Sequence, residues 1–140
     1  MKYIQWYNEH SMKHKAIVEQ LKDKNTDEII EYFDYENMRI KHPDFCPLYA
    51  LNSKCHDMKD LNCYMCGCQH FRFNGGGIKI KENRVVYSLC SKGLGQSFES
   101  GAAIHQDCSS CTLPHKKEFV KKNFNISWSE MMEDVIRIQR

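Results

Sequence analysis

Five of the chain's eight cysteines, Cys46, Cys55, Cys63, Cys66 and Cys68, fall between Asp44 and Cys68, and Cys108-Ser-Ser-Cys111 adds two more downstream. Thiols three positions apart can grip one ion from a single tight turn, because that spacing brings both sulfurs to one side of the backbone. The repeat of this spacing at two distant places, with single cysteines between, predicts a chain folded around metal. Gly67, directly after Cys66, allows a tight knuckle whose amide N–H groups point at the sulfurs. Cys68 follows too closely for three neighbouring residues to complete one tetrahedron, so it is assigned to a second site. The expected grouping is Cys46, Cys55, Cys63 and Cys66 against Cys68, Cys90, Cys108 and Cys111. Eight thiolates accommodate two four-cysteine zinc sites, a four-iron cluster beside a zinc site, or one cluster with free thiols.

Two histidines accompany the cysteines. His56 follows Cys55 directly and His115 lies four residues after Cys111, so either could replace a thiolate or donate a hydrogen bond to one. His10, His14, His42, His70 and His105 share no such pattern and are expected at the surface. Other chemistries fit less well. Neither Cys-x-x-Cys motif opens a helix in a βαβ unit, as thioredoxin-like redox chemistry requires. Gly75-Gly76-Gly77 lacks the lysine and hydroxyl of a phosphate loop and precedes a strand. No Ser-His-Asp order or carboxylate pair can be assigned, so the residues name no enzymatic activity and leave the enzyme question open.

The elements around these residues are short. Met12, Ala16, Ile17 and Leu21 predict a helix from Ser11 to Lys24. Thr26 is the expected N-cap of a second helix running to about Lys41, with Ile29, Ile30, Phe33 and Met38 on its apolar face. His42-Pro43 ends it, because a residue before proline is pushed out of helical angles. The stretch from Asp44 to His70 is expected to be loop, with Phe71 and Phe73 as core beside the metal. Ile78 to Cys90 reads as one β-hairpin that turns at Glu82-Asn83 and delivers Cys90 from its second strand. The glycine-punctuated segment after it is expected to be irregular. Lys116 to Asn123 predicts one or two helical turns. Ser127-Trp-Ser-Glu130 is a capping box opening a terminal helix with Trp128, Met131, Met132, Val135 and Ile138 on its apolar side.

Bulk composition narrows the partners. In 140 residues, 41% are hydrophobic and 27% charged, with a net charge of +2, which suits one modest core and gives no electrostatic case for nucleic-acid binding. No apolar run reaches signal-peptide or membrane-span length. A cytoplasmic location is therefore expected, and in that reducing compartment metal ligation is expected in place of disulfides.

The motifs Cys46-Pro-Leu-Tyr49, Cys55-His56, Leu61-Asn62-Cys63-Tyr-Met-Cys66-Gly-Cys68 and Asp107-Cys108-Ser-Ser-Cys111-Thr-Leu-Pro114-His115 together resemble the cysteine-rich small domain family of bacteria and archaea. The resemblance covers residues 44 to 120. It implies a metal-binding domain and supplies no established reaction. The interval between Cys46 and Cys55 and the segment between Cys68 and Cys108 are longer here than the family pattern.

The expectation is a small α+β protein with a loop-rich, metal-stapled core carrying one β-hairpin. Residues 1–43 form an N-terminal helical segment packing on that core, 44–120 the cysteine-rich metal-binding domain, and 121–140 a C-terminal helix. Zinc, as two ions, is the expected cofactor, with an iron–sulfur cluster as the alternative. The expected role is a structural or adaptor module that binds a protein partner through its flanking helices. Electron transfer through a cluster and cytosolic metal storage or delivery are the alternatives.

Overall fold

A computed structural model describes residues 2–137 of the chain. The first helix, α1 (Lys2–Glu19), begins well before the expected Ser11. Its buried stripe is Tyr7, His10, His14, Ile17 and Val18, and Leu21 continues it beyond the helix, whereas Met12 is 73% exposed. Histidines stand at two positions of the stripe where aliphatic residues would have marked a core face. This overturns the expectation that His10 and His14 lie at the surface.

The second expected helix is divided. Asn25, not Thr26, caps α2 (Thr26–Tyr32), and it exchanges capping-box hydrogen bonds with Glu28. Helix α3 (Tyr35–Lys41) follows after Asp34 turns to extended angles. The break exists because residues 61–63 pair there like a strand. The Tyr35 N–H donates to the Leu61 carbonyl (2.9 Å), and the Cys63 N–H to the Phe33 carbonyl (2.8 Å). Helix α3 stops at Lys41, just before His42-Pro43, as expected.

The strands exceed the single hairpin expected. They are β1 (Phe71–Phe73), β2 (Lys79–Lys81), β3 (Arg84–Val86), β4 (Ser88–Cys90), β5 (Gln96–Ser100) and β6 (Ala103–Asp107). The β2–β3 hairpin turns through Glu82 and Asn83, whose φ values of 51° and 66° match the primed turns that two-residue hairpins favour. Cys90 does not belong to it. That residue sits on β4, which pairs with β1 in a separate two-stranded sheet placing Phe71 opposite Cys90. The segment expected to be irregular is an antiparallel hairpin, β5–β6, and β6 runs parallel to β3 in a sheet of order β2-β3-β6-β5.

Helix α4 (Lys117–Lys122) matches the expected helical turns. Helix α5 (Trp128–Met131) starts at Ser127, whose hydroxyl accepts the Glu130 N–H. It is shorter than expected, although Met132 and Val135 beyond it are still buried. Ile138 lies outside the described residues.

The apolar core lies in the helical half. Tyr7, Ile30, Phe33, Met38, Tyr64, Met65, Trp128, Met132 and Val135 belong to one buried cluster, in which Cys63 is the buried cysteine. Hydrocarbon and aromatic packing therefore surrounds the cysteine segment on one side. Asn62 ties the two together. Its side-chain amide donates to the Ile30 carbonyl (2.7 Å) and to Asp34 (2.9 Å), and its Oδ1 accepts the Tyr64 N–H. A second tie is Trp128 Nε1–H, which donates to the Cys66 carbonyl at the knuckle (2.9 Å).

Candidate metal centre

The thiols fall into two electrostatic neighbourhoods, and the dividing line passes through Gly67. Burial raises the Cys66 thiol well above its ordinary value, and Cys63, Cys55 and Cys46 add to the rise. Burial also pushes Cys63 up to about 12; the Tyr49 hydroxyl opposes this, and Cys55 and Cys46 reinforce it. On the other side burial pushes Cys68 up to about 11, opposed by a hydrogen bond from the His70 backbone and reinforced by Cys108, Cys90 and Cys111. Cys108 is raised by burial and then by Cys111 and Cys90. Thiolates gathered in a poorly hydrated place repel one another, so without a cation they stay protonated. A divalent ion reverses that preference and expels the protons.

Local backbone geometry presents the sulfurs. In the knuckle, Cys66 N–H points back at the Cys63 carbonyl and Cys68 N–H at the Met65 carbonyl. Gly67 takes φ 111°, a conformation that favours glycine, and a Cβ there would press on both Trp6 and Trp128 at 3.2 Å. The turn after β6 is similar, with Cys111 N–H on the Cys108 carbonyl (3.0 Å).

The tightest convergence of ligand atoms includes two nitrogens. Among the described residues, Cys55, His56 and His115 bring one ligand atom each to within 4.8 Å of one another. His56 Nδ1 is 3.1 Å and His115 Nε2 3.5 Å from Cys55 Sγ. Both rings are held from behind by main-chain carbonyls: His56 Nε2 lies 3.0 Å from the Cys108 oxygen, and His115 Nδ1 2.8 Å from the Asn62 oxygen. A carbonyl can only accept, so each of those ring nitrogens carries its proton, and the opposite nitrogen turns a bare lone pair toward Cys55. The Cys55 thiol has one proton to offer two lone pairs. A metal ion would satisfy all three atoms together, and carbonyls gripping the far N–H groups are the usual support of metal-bound imidazoles.

Burial lowers the His115 pKa from its ordinary value and raises that of Cys55, to which Cys46 adds. These directions oppose the thiolate–imidazolium pair of a cysteine nucleophile. The Asn62 main chain fixes His115 twice, since the Asn62 N–H also donates to the His115 carbonyl (3.0 Å). Spacing could not have shown this, because the partners are 53 residues apart.

Beside the cluster is a cavity of about 430 Å³. Cys55, His56 and His115 line it, and so do Cys66 and all four thiols of the second set. Its apolar wall comes from Tyr3 and Trp6 of α1, from Phe71, and from Leu94, Leu113 and Pro114. Cys46 and Cys63 do not reach it. The buried Tyr49 hydroxyl faces the Cys63 thiol instead.

The class these features define is a small α+β protein with a Cys/His cluster at the junction of its helical core and its two sheets. No protein-family model, curated protein or solved structure matches the chain. No helix among the described residues is long and apolar enough to cross a membrane.

Proposed function

We propose that this chain is a zinc–thiolate protein serving as a structural or adaptor module in the reducing cytoplasm. One ion would sit on the Cys55 side of the site and the second on Cys68, Cys90, Cys108 and Cys111. The observation that carries the reading is the set of two imidazole lone pairs and one sulfur converging on a point, with both far N–H groups held by carbonyls. Partner binding through the flanking helices would use Met12 and Ile40, apolar side chains that are 73% and 67% exposed. Zinc supplies no redox step, so the chain's own residues would act by holding the loops and helices in one arrangement. The iron–sulfur alternative draws on a separate observation: Cys68, Cys90, Cys108 and Cys111 all face one apolar cavity.

His115→Ala is expected to lower the zinc content of the purified protein and its melting temperature. His105→Ala, on the sheet between Tyr87 and Phe98, should change neither. Equal zinc content in His115→Ala and the parent, measured by elemental analysis, would sink the role of the cluster.

A further inference from the structure

We infer that the Cys55–His56–His115 centre is open, and that its remaining coordination position receives a small uncharged molecule with an apolar body and a single donor atom. The inference rests on the metal reading of that cluster and goes beyond it, because a purely structural site is closed by four protein ligands. Three ligand atoms converge here, and all three residues belong to the wall of the 430 Å³ cavity. An ion on these atoms would therefore border the cavity, leaving one position of a tetrahedron for a molecule lying inside it.

The cavity states what that molecule must be. Its volume lies in the range of small-ligand pockets. Among the described residues no lysine, arginine, aspartate or glutamate lines it, so no side chain of those types would pair with a phosphate, carboxylate or ammonium group brought out of water. Aromatic and aliphatic surface from Tyr3, Trp6, Phe71, Leu94, Leu113 and Pro114 favours an apolar body. Besides the thiols of the second set, His70 and Gln106 also line this wall, and the ion held by the cluster is where a donor atom would bind. Ligands of this class include neutral azoles, alcohols, aldehydes and thiols. Leu94 is 42% exposed, which puts it at the rim, where a change of charge affects entry without disturbing the core.

The test uses the full chain, stripped of metal and reloaded anaerobically with cobalt(II), whose visible bands report coordination. The probe is 4-phenylimidazole, with imidazole as the same donor lacking the apolar body. The difference between the parent spectrum and that of His115→Ala identifies the bands of this centre. We expect 4-phenylimidazole to shift those bands saturably, and to bind at least about tenfold more tightly than imidazole, the gain from burying a phenyl ring. Leu94→Arg should bind cobalt as the parent does and weaken 4-phenylimidazole about tenfold. Bands that belong to the centre but ignore 4-phenylimidazole would show a protein ligand such as Cys66 closing the site, and would overturn the inference while leaving metal binding intact. Equal binding of the two azoles would overturn the cavity's part in it. Failure of cobalt to bind, or a spectrum unchanged by His115→Ala, would overturn the metal reading of the cluster and the inference with it.

Discussion

Chelation of the proposed zinc is expected to free the cysteine-bearing segments while the helical core stays folded. A structural zinc site contributes about 10–16 kcal/mol in zinc-finger peptides, which are unfolded without it, whereas this chain also has a packed core away from the cysteines. Residues 44–60 contain no helix or strand beyond a single 3-10 turn, Tyr49–Leu51. The turns at Cys66 and Cys108 have few local hydrogen bonds to hold them. The core around Ile30, Phe33, Tyr64 and Met132, by contrast, is packed from hydrocarbon and aromatic groups. Hydrogen exchange should therefore show amides of 46–60, 66–70 and 106–112 losing protection in chelator, while the inner turns of α1 keep theirs. The melting temperature should fall by at least about 15 °C, given that 1 kcal/mol corresponds to several degrees in a chain of this size. Unchanged exchange in all three segments would remove the metal from any part in holding the fold.

Acid is expected to unfold the protein through His10 and His14. Burial drives the His10 pKa down to about 3, with His14 and Lys13 adding to it. Burial likewise lowers His14 to about 4, opposed by its hydrogen bond to the Tyr64 carbonyl. His10 Nε2 and His14 Nδ1 have no hydrogen-bond partner, so the fold has nothing to offer a second proton on either ring. A depressed folded-state pKa contributes stability that is complete above the unfolded value near 6.5 and is lost as pH falls toward the folded value. Full protonation of each ring costs on the order of 3–5 kcal/mol, and the two together rival the stability of the domain. Unfolding should begin below pH 6.5 and be complete at roughly pH 4. His10 packs against Trp6, Phe45 and Trp128, so His10→Phe keeps the ring and removes the titration. That variant should unfold at lower pH, with about one proton less in the slope of stability against pH. If it unfolds in acid just as the parent does, loss of metal and not core protonation governs the transition.

The same two histidines show where the sequence was legible and where it was not. Aliphatic spacing located α2 and α3 and the apolar side of the C-terminal residues, and His42-Pro43 marked the end of α3. The start of α1 was hidden because the first residues of its buried stripe are Tyr7, His10 and His14, types that sit equally well at a surface. The break at Asp34 was hidden because its cause, the pairing with Asn62, joins residues distant in the chain. Hairpin β5–β6 escaped notice because every residue of Gln96–Ser100 is exposed, which leaves no inward-facing alternation to read. At the site, spacing singled out the cysteines, six of which line one cavity. It could not show that His56 and His115 meet at Cys55. That meeting depends on the Cys108 and Asn62 carbonyls, and main-chain groups leave no mark in a sequence.

Elemental analysis of protein purified without oxygen, together with its visible spectrum and a count of reactive thiols, tests metal binding most directly. The account predicts a colourless protein with about two zinc ions per chain, whose thiols resist alkylation until a chelator is added and then react freely. Metal-free protein with its cysteines paired as disulfides would contradict metal binding altogether. A brown protein that bleaches with dithionite and contains about four irons per chain would contradict zinc and make electron transfer the leading reading.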